Sequence, residues 1–226
     1  MNKILEMLKL QQQLNDETNG LNWENGITKN GKIIDWKRCI YLEAGELIDS
    51  YPWKHWKDIN AKPDYENIKI ELVDIWHFIM SEALRVYKTK NLGSIEDIAY
   101  MIVNLSQFNN FNSDDIKDNL DIYQEMALVE EMIAVLFCKD SIHELIKSFL
   151  ITSSSLNLKL SELYRLYIGK NILNRFRQDN GYKDGTYIKI WNGEEDNAIM
   201  QNILDKHSDI KPNELYNKLE KLYPKG

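Results

Sequence analysis

The chain is poor in the residues that punctuate β structure. Ten Gly and four Pro in 226 residues are few for an all-β fold, which needs frequent turns. Val/Ile-rich strands followed by Gly-rich turns, the mark of a doubly wound α/β sheet, are missing as well. Two Cys cannot build a disulfide framework. No run of about 18 apolar residues occurs, which excludes a spanning helix. The opening Met1-Asn2-Lys3-Ile4-Leu5-Glu6 lacks an uninterrupted apolar stretch, so no secretory signal is expected. Basic charge is in the minority: 28 Lys and Arg against 35 Asp and Glu give −7, which argues against general nucleic-acid affinity. Such a balance still allows a small phosphorylated ligand, which needs only local positive charge. A helical, cytoplasmic protein without a membrane partner is the simplest expectation.

What is present reads as helix. Ile4, Leu5, Leu8 and Leu14 fall at helical spacing over residues 1–16, and Asn19 to Lys32 is turn chemistry. A second helix is expected over about 35–50, stopping before Pro52, with an aromatic loop after it. Pro63-Asp64 opens a long apolar helix over about 65–87. Ser94-Ile95-Glu96-Asp97 fits a capping box for a helix to about 108. Further helices are expected over about 113–137, 141–152, 158–178 and 194–205, and one opened by Pro212 after Asp209. The expectation is one all-α domain over 1–226, a bundle of about seven to nine helices.

Two helices carry carboxylate pairs. Glu43 and Glu46 lie three apart on the second, and Glu71 and Asp74 lie three apart on the central one, so each pair shares a helix face. Their helical neighbours, among them Ile40, Leu47, Ile68, Ile75 and Phe78, belong to faces that must be buried. Anions there are costly unless cations lie between them, and oxygen donors without accompanying Cys or His select Mg²⁺ or Mn²⁺. A di-iron bundle would need Glu-x-x-His on two helices, whereas only Asp74 has a His, His77, at that offset.

Residues 165–189 are locally basic, with Arg165, Lys170, Arg175, Arg177, Lys183 and Lys189 against Asp179 and Asp184. A solvated helix face is the bland explanation. Basic side chains beside the glycines 169, 181 and 185 could instead close over phosphate oxygens. An acidic metal centre and a basic clamp together suit a nucleoside triphosphate.

With these segments in order, the sequence resembles the dimeric dUTPases, a branch of the all-α NTP pyrophosphatases related to the MazG-type enzymes. The resemblance is carried by Leu10-Gln11-Gln12-Gln13-Leu14-Asn15, Leu21-Asn22-Trp23, Glu43-Ala44-Gly45-Glu46, Trp53-Lys54-His55-Trp56-Lys57 and Glu71-Leu72-Val73-Asp74-Ile75-Trp76-His77. It continues in Gly169-Lys170-Asn171-Ile172-Leu173-Asn174-Arg175-Phe176-Arg177 and Gly181-Tyr182-Lys183-Asp184-Gly185. It covers residues 10–77 and 165–196, while about 90–160 matches only as helices.

The resemblance implies Mg²⁺-dependent hydrolysis of dUTP, and of dUDP, to dUMP, with Mn²⁺ a possible substitute. Glu43, Glu46, Glu71 and Asp74 would hold the metal. Glu46, with Glu43 the other candidate, would orient and deprotonate the attacking water. Gln12, Asn15 and Asn22 would lie near the base and sugar, and Trp53, Trp56 and His77 would stack on or wall the nucleoside. Lys170, Asn174, Arg175, Arg177, Tyr182 and Lys183 would clamp phosphates and the sugar hydroxyl. A homodimer is implied too, in keeping with a central helix that is apolar nearly all round. The polar segment 179–196 is expected to be mobile until it orders over the nucleotide.

Alternatives stay open at this point. The same chemistry could serve dCTP or a broad range of dNTPs, or the chain could be a non-catalytic helical protein that binds a partner. Trp53 and Trp56 could be core aromatics and His77 a hydrogen-bonded core histidine. His55, His143 and His207 have no partner pattern and are expected at the surface.

Overall fold

The computed structural model describes residues 1–58, 60–113, 115, 120–207 and 210–224. Among these there are ten α-helices and one two-stranded hairpin. They group into two compact units, Met1–Leu163 and Tyr164–Gly226.

The first unit is organised around α3 (Tyr65–Thr89), whose Ile68, Leu72, Val73, Ile75, Trp76 and Ile79 are almost fully buried. It packs against α1 (Asn2–Asn19), α2 (Trp36–Asp49), α4 (Ile95–Val103) and α7 (Ile142–Ser155). Trp76 stacks on Phe149 of α7 with ring centroids 4.9 Å apart. The apolar circumference of α3 is thus largely covered within one chain. Its burial does not by itself require a partner subunit. Short α5 (Phe108–Asn112) and longer α6 (Ile122–Cys138) complete the layer against α7.

Side-chain caps set several helix starts. Asp35 accepts from the Arg38 amide at the head of α2, and Asp64 from Asn67 at the head of α3. Ser94 and Asp97 form the expected capping box of α4. The helix expected to reach 108 is divided, because α4 ends at Val103 and a turn leads into α5. The helix expected from 113 starts at Ile122, capped by Asp121; positions 114 and 116–119 lie outside the described residues.

The second unit contains most of α8 (Leu160–Asp179), strands β1 (Ile190–Trp191) and β2 (Glu194–Glu195), α9 (Asp196–Lys206) and α10 (Pro212–Leu222). The helix expected after Asp209 is α10, with Pro212 in its first turn; Asp209 itself is outside the described residues. Asn192 and Gly193, with φ of 52° and 91°, make the tight left-handed turn between the antiparallel strands. Gly169 lies inside α8 rather than in a turn. A Cβ there would stand 2.6 Å from Leu204 Cδ1 and 2.8 Å from Met200 Sδ, so its bareness lets α9 approach. No helix among the described residues is long and apolar enough to cross a membrane.

Candidate active site

The end of α2 meets the start of α3. The Asp64 amide donates to Ser50 O at 2.9 Å, and Asn67 Nδ2 donates to Ser50 Oγ at 2.8 Å. The two helices leave this junction antiparallel, so positions a few residues back on α2 lie level with positions a few residues on in α3. Glu43, Glu46 and Glu71 each bring a carboxylate oxygen to within 4.8 Å of the others. Glu71 is buried, Glu43 half-buried and Glu46 exposed. Ile40, Ala44 and Leu47 beneath them are fully buried. Three hard oxygen donors at this spacing suit a divalent cation, which would offset their mutual repulsion. Asp74, one turn beyond Glu71, is half-buried and is not in this trio. Four residues before Glu43, burial and then the Glu43 charge push the Cys39 thiol up, which disfavours its thiolate.

On α1, Gln11 and Asn15 are both 3% exposed, one helical turn apart. Gln11 Oε1 is 2.7 Å from His77 Nδ1, and Gln11 Nε2 and Asn15 Nδ2 each donate to Ser81 Oγ at 3.0 Å. Gln12 points elsewhere, donating to Asp16 at 2.9 Å and Glu24 at 3.3 Å. His77 is buried in this network. Sequence reasoning named Gln12 but left the choice among Gln11, Gln12 and Gln13 open, and it passed over Ser81, which lies four residues from His77 on the same helix face. Asn22 has left-handed φ of 68° and precedes the 3₁₀ turn Trp23–Asn25.

The aromatic loop is not core. Trp53 is 37% and Trp56 62% exposed. Their rings meet edge to face at 5.6 Å, and His55 packs on Trp56 at 4.9 Å. Lys54 pairs with Asp49 and lies over the Trp53 ring. His55, His143 and His207 are exposed.

In the second unit, the basic residues gather around Asp196, which is fully buried. Arg177 donates from Nε and Nη2 to its two oxygens at 2.8 Å each, and from Nη1 to Asn174 Oδ1 at 3.1 Å. Lys170, only 2% exposed, donates to Asn197 Oδ1 at 3.0 Å. Tyr182 lies under the Arg177 guanidinium at 5.8 Å. Arg175 and Lys183 are exposed. Asp196 and Asn197 were not anticipated. A carboxylate in the first turn of a helix is a routine dipole partner, so sequence offered no sign that Asp196 would be buried.

The segment 179–196 is less uniform than its polarity suggests. Residues 180–186 form a turn, exposed from Tyr182 to Thr186, held by Tyr182 N to Arg177 O and Thr186 N to Gly181 O. Tyr187 stacks on Tyr223 at 5.3 Å, and the fully buried Trp191 meets the same ring edge-on at 5.3 Å. The part of the segment with no buried side chain is therefore about 180–186, with an aromatic anchor after it.

The all-α scaffold brings three carboxylates from two neighbouring helices to a spacing that could hold a divalent cation. The dUTPase family model matches residues 3–182, and the chain belongs to this family, in its all-α form; its activity is that of a dUTP diphosphatase. No curated protein shows a significant match.

Proposed function

We propose that this chain converts dUTP, and dUDP, to dUMP in a Mg²⁺-dependent hydrolysis, with Mn²⁺ able to substitute. The observation that carries the reading is the convergence of Glu43, Glu46 and Glu71 to within 4.8 Å at the rim of a buried helix pair. Asp74 extends the donor set, because it shares the α3 face of Glu71. Magnesium held there would neutralise phosphate oxygens and lower the pKa of water. Glu46 is the exposed member of the trio, so a water can reach it, and we assign it the task of orienting and deprotonating that water. Glu43 and Glu71 would help to hold the cation.

Water adds to phosphorus, its proton passes to Glu46, and the bond to the departing phosphate group breaks. For dUTP the products are dUMP and pyrophosphate; for dUDP they are dUMP and phosphate. Lys170, Asn174, Arg175, Arg177, Tyr182 and Lys183 supply the phosphate and sugar contacts. Asn15, with Gln12 or Gln11, reads the base, since an amide carbonyl accepts from uracil N3–H and its NH₂ donates to O4. Asn22 and His77 border the nucleoside, and the exposed rings of Trp53 and Trp56 are available to stack on it. Two free cysteines fit a reduced, cytoplasmic compartment.

Release of dUMP and pyrophosphate, measured across the common dNTPs with and without Mg²⁺, tests this directly. The expected result is turnover of dUTP far above the others, lost without metal. Equal turnover of dCTP would overturn the base assignment, and metal-independent turnover would overturn the carboxylate site.

A further inference from the structure

We propose that Ser81 fixes the hydrogen-bond polarity of the base-reading amides, and with it the preference for uracil over cytosine. Its hydroxyl is completely buried on α3 and has one proton to give. That proton goes to the His77 carbonyl one turn earlier, 2.9 Å away. The Ser81 oxygen can then only accept. Gln11 Nε2 and Asn15 Nδ2 both approach it at 3.0 Å, so both amides must turn their NH₂ groups inward. A flipped amide would place carbonyl oxygen against hydroxyl oxygen with no proton between them.

The consequence runs further. With its nitrogen on Ser81, Gln11 presents Oε1 to His77 Nδ1 at 2.7 Å. A carbonyl accepts only, so the neutral imidazole carries its proton on Nδ1 and its lone pair on Nε2. Ser81, joined by the longer Gln11 Nε2 to Asn15 Oδ1 hydrogen bond of 3.4 Å, thus sets the orientation of both amides and, through Gln11, the ring tautomer.

Polarity is the property that separates the two pyrimidines. Uracil offers a donor at N3 and an acceptor at O4; cytosine offers an acceptor at N3 and a donor at its exocyclic amine. An amide free to turn over can match either base. One held by Ser81 can match only one. This step rests on the reading that the network serves the base.

The test is Ser81→Ala and Ser81→Thr in the full chain, read by kinetics and by ¹⁵N NMR of the His77 ring. In ligand-free wild type, His77 is expected as the single Nδ1–H tautomer; the opposite tautomer overturns the proposal without any variant. Ser81→Ala is expected to mix the tautomers. It should also lower the dUTP-over-dCTP preference about tenfold or more, through KM, with kcat for dUTP within about twofold. Ser81→Thr restores both by keeping the hydroxyl. An unmixed tautomer in Ser81→Ala overturns the role of Ser81. A mixed tautomer with unchanged base preference overturns the reading that the network faces the base.

Discussion

Arg177 grips Asp196 with two parallel hydrogen bonds, Nε to one carboxylate oxygen and Nη2 to the other, each 2.8 Å long. The Tyr187 hydroxyl adds a third donor at 2.7 Å. This pair fixes a guanidinium that the resemblance assigns to the phosphate and sugar clamp. It also gives the second unit a buried charge pair whose integrity depends on pH.

Burial by itself raises the Asp196 carboxyl, but Arg177 and Tyr187 outweigh it and hold the group below the ordinary carboxylate range. A depressed acid pKa stabilises the fold above the unfolded value of about 3.9, and the contribution fades as pH falls below it. Asp196→Asn should therefore lower the melting temperature at pH 7 and flatten the loss of stability below about pH 4. Arg177→Met should cost more, about 3–5 kcal/mol, because it leaves the carboxylate buried without its cation. Calorimetry from pH 3 to 7 checks both. Parallel pH profiles for wild type and Asp196→Asn would count against the pair.

Glu46→Gln and Asp74→Asn are each expected to cut turnover by two orders of magnitude or more, as befits a lost base or ligand. Neutralising one member of an acidic group relieves repulsion in the metal-free protein. Melting temperatures without metal should accordingly stay level or rise. Near wild-type turnover in either variant removes that residue from the site.

Glu125 on α6 is 6% exposed, and neither its Oε2 nor the neighbouring Tyr51 hydroxyl completes a hydrogen bond. Burial pushes its carboxyl up; the approach of Tyr51 offsets part of this, and Asp121 adds to the rise. A raised acid pKa means stability declines as pH climbs from the unfolded value of about 4.3 through the folded one. Glu125→Gln should raise the melting temperature at pH 7.5 by roughly 2–4 °C and make little difference at pH 4. A destabilised variant at pH 7.5 would show that the charge is compensated.

Amide hydrogen exchange should slow across 180–186 when Mg²⁺ and a non-hydrolysable dUTP analogue are added. Residues 187–191 should be protected beforehand, since Trp191 Nε1 donates to Ile188 O at 2.7 Å within the aromatic cluster. Unchanged exchange at 180–186 would leave the turn as a simple connection.

Homodimer formation is expected from the outer face of α2 and α6. Tyr41, Leu42 and Phe137 are about half exposed there, at 49%, 56% and 57%, and Tyr41 meets Phe137 edge-on at 5.8 Å. Sedimentation at micromolar concentration should show twice the chain mass of 26.7 kDa, and Tyr41→Glu should shift it to a single chain. Only the 26.7 kDa species in wild type would retire this interface.

Helical periodicity, caps and breakers were local enough to read directly. The run from Tyr65 to Thr89, the Ser94 capping box and the start at Pro212 all follow from side chains acting on backbone a few residues away. The carboxylate pairs were visible for the same reason, because three-residue spacing puts both members on one face. Which helices meet, and at what level, is not local. Bringing Glu43 and Glu46 to Glu71 depended on the junction at Ser50, and choosing Gln11 over its neighbours depended on where α3 presents His77 and Ser81. Likewise, Trp191 and Tyr187 read as part of a polar tract, and Asp196 as an ordinary helix-start acid. Tyr223 and Arg177, 32 and 19 residues away in sequence from Trp191 and Asp196, decided otherwise. Pairings at that separation are settled by packing energy summed over the whole unit, which no short window of sequence contains.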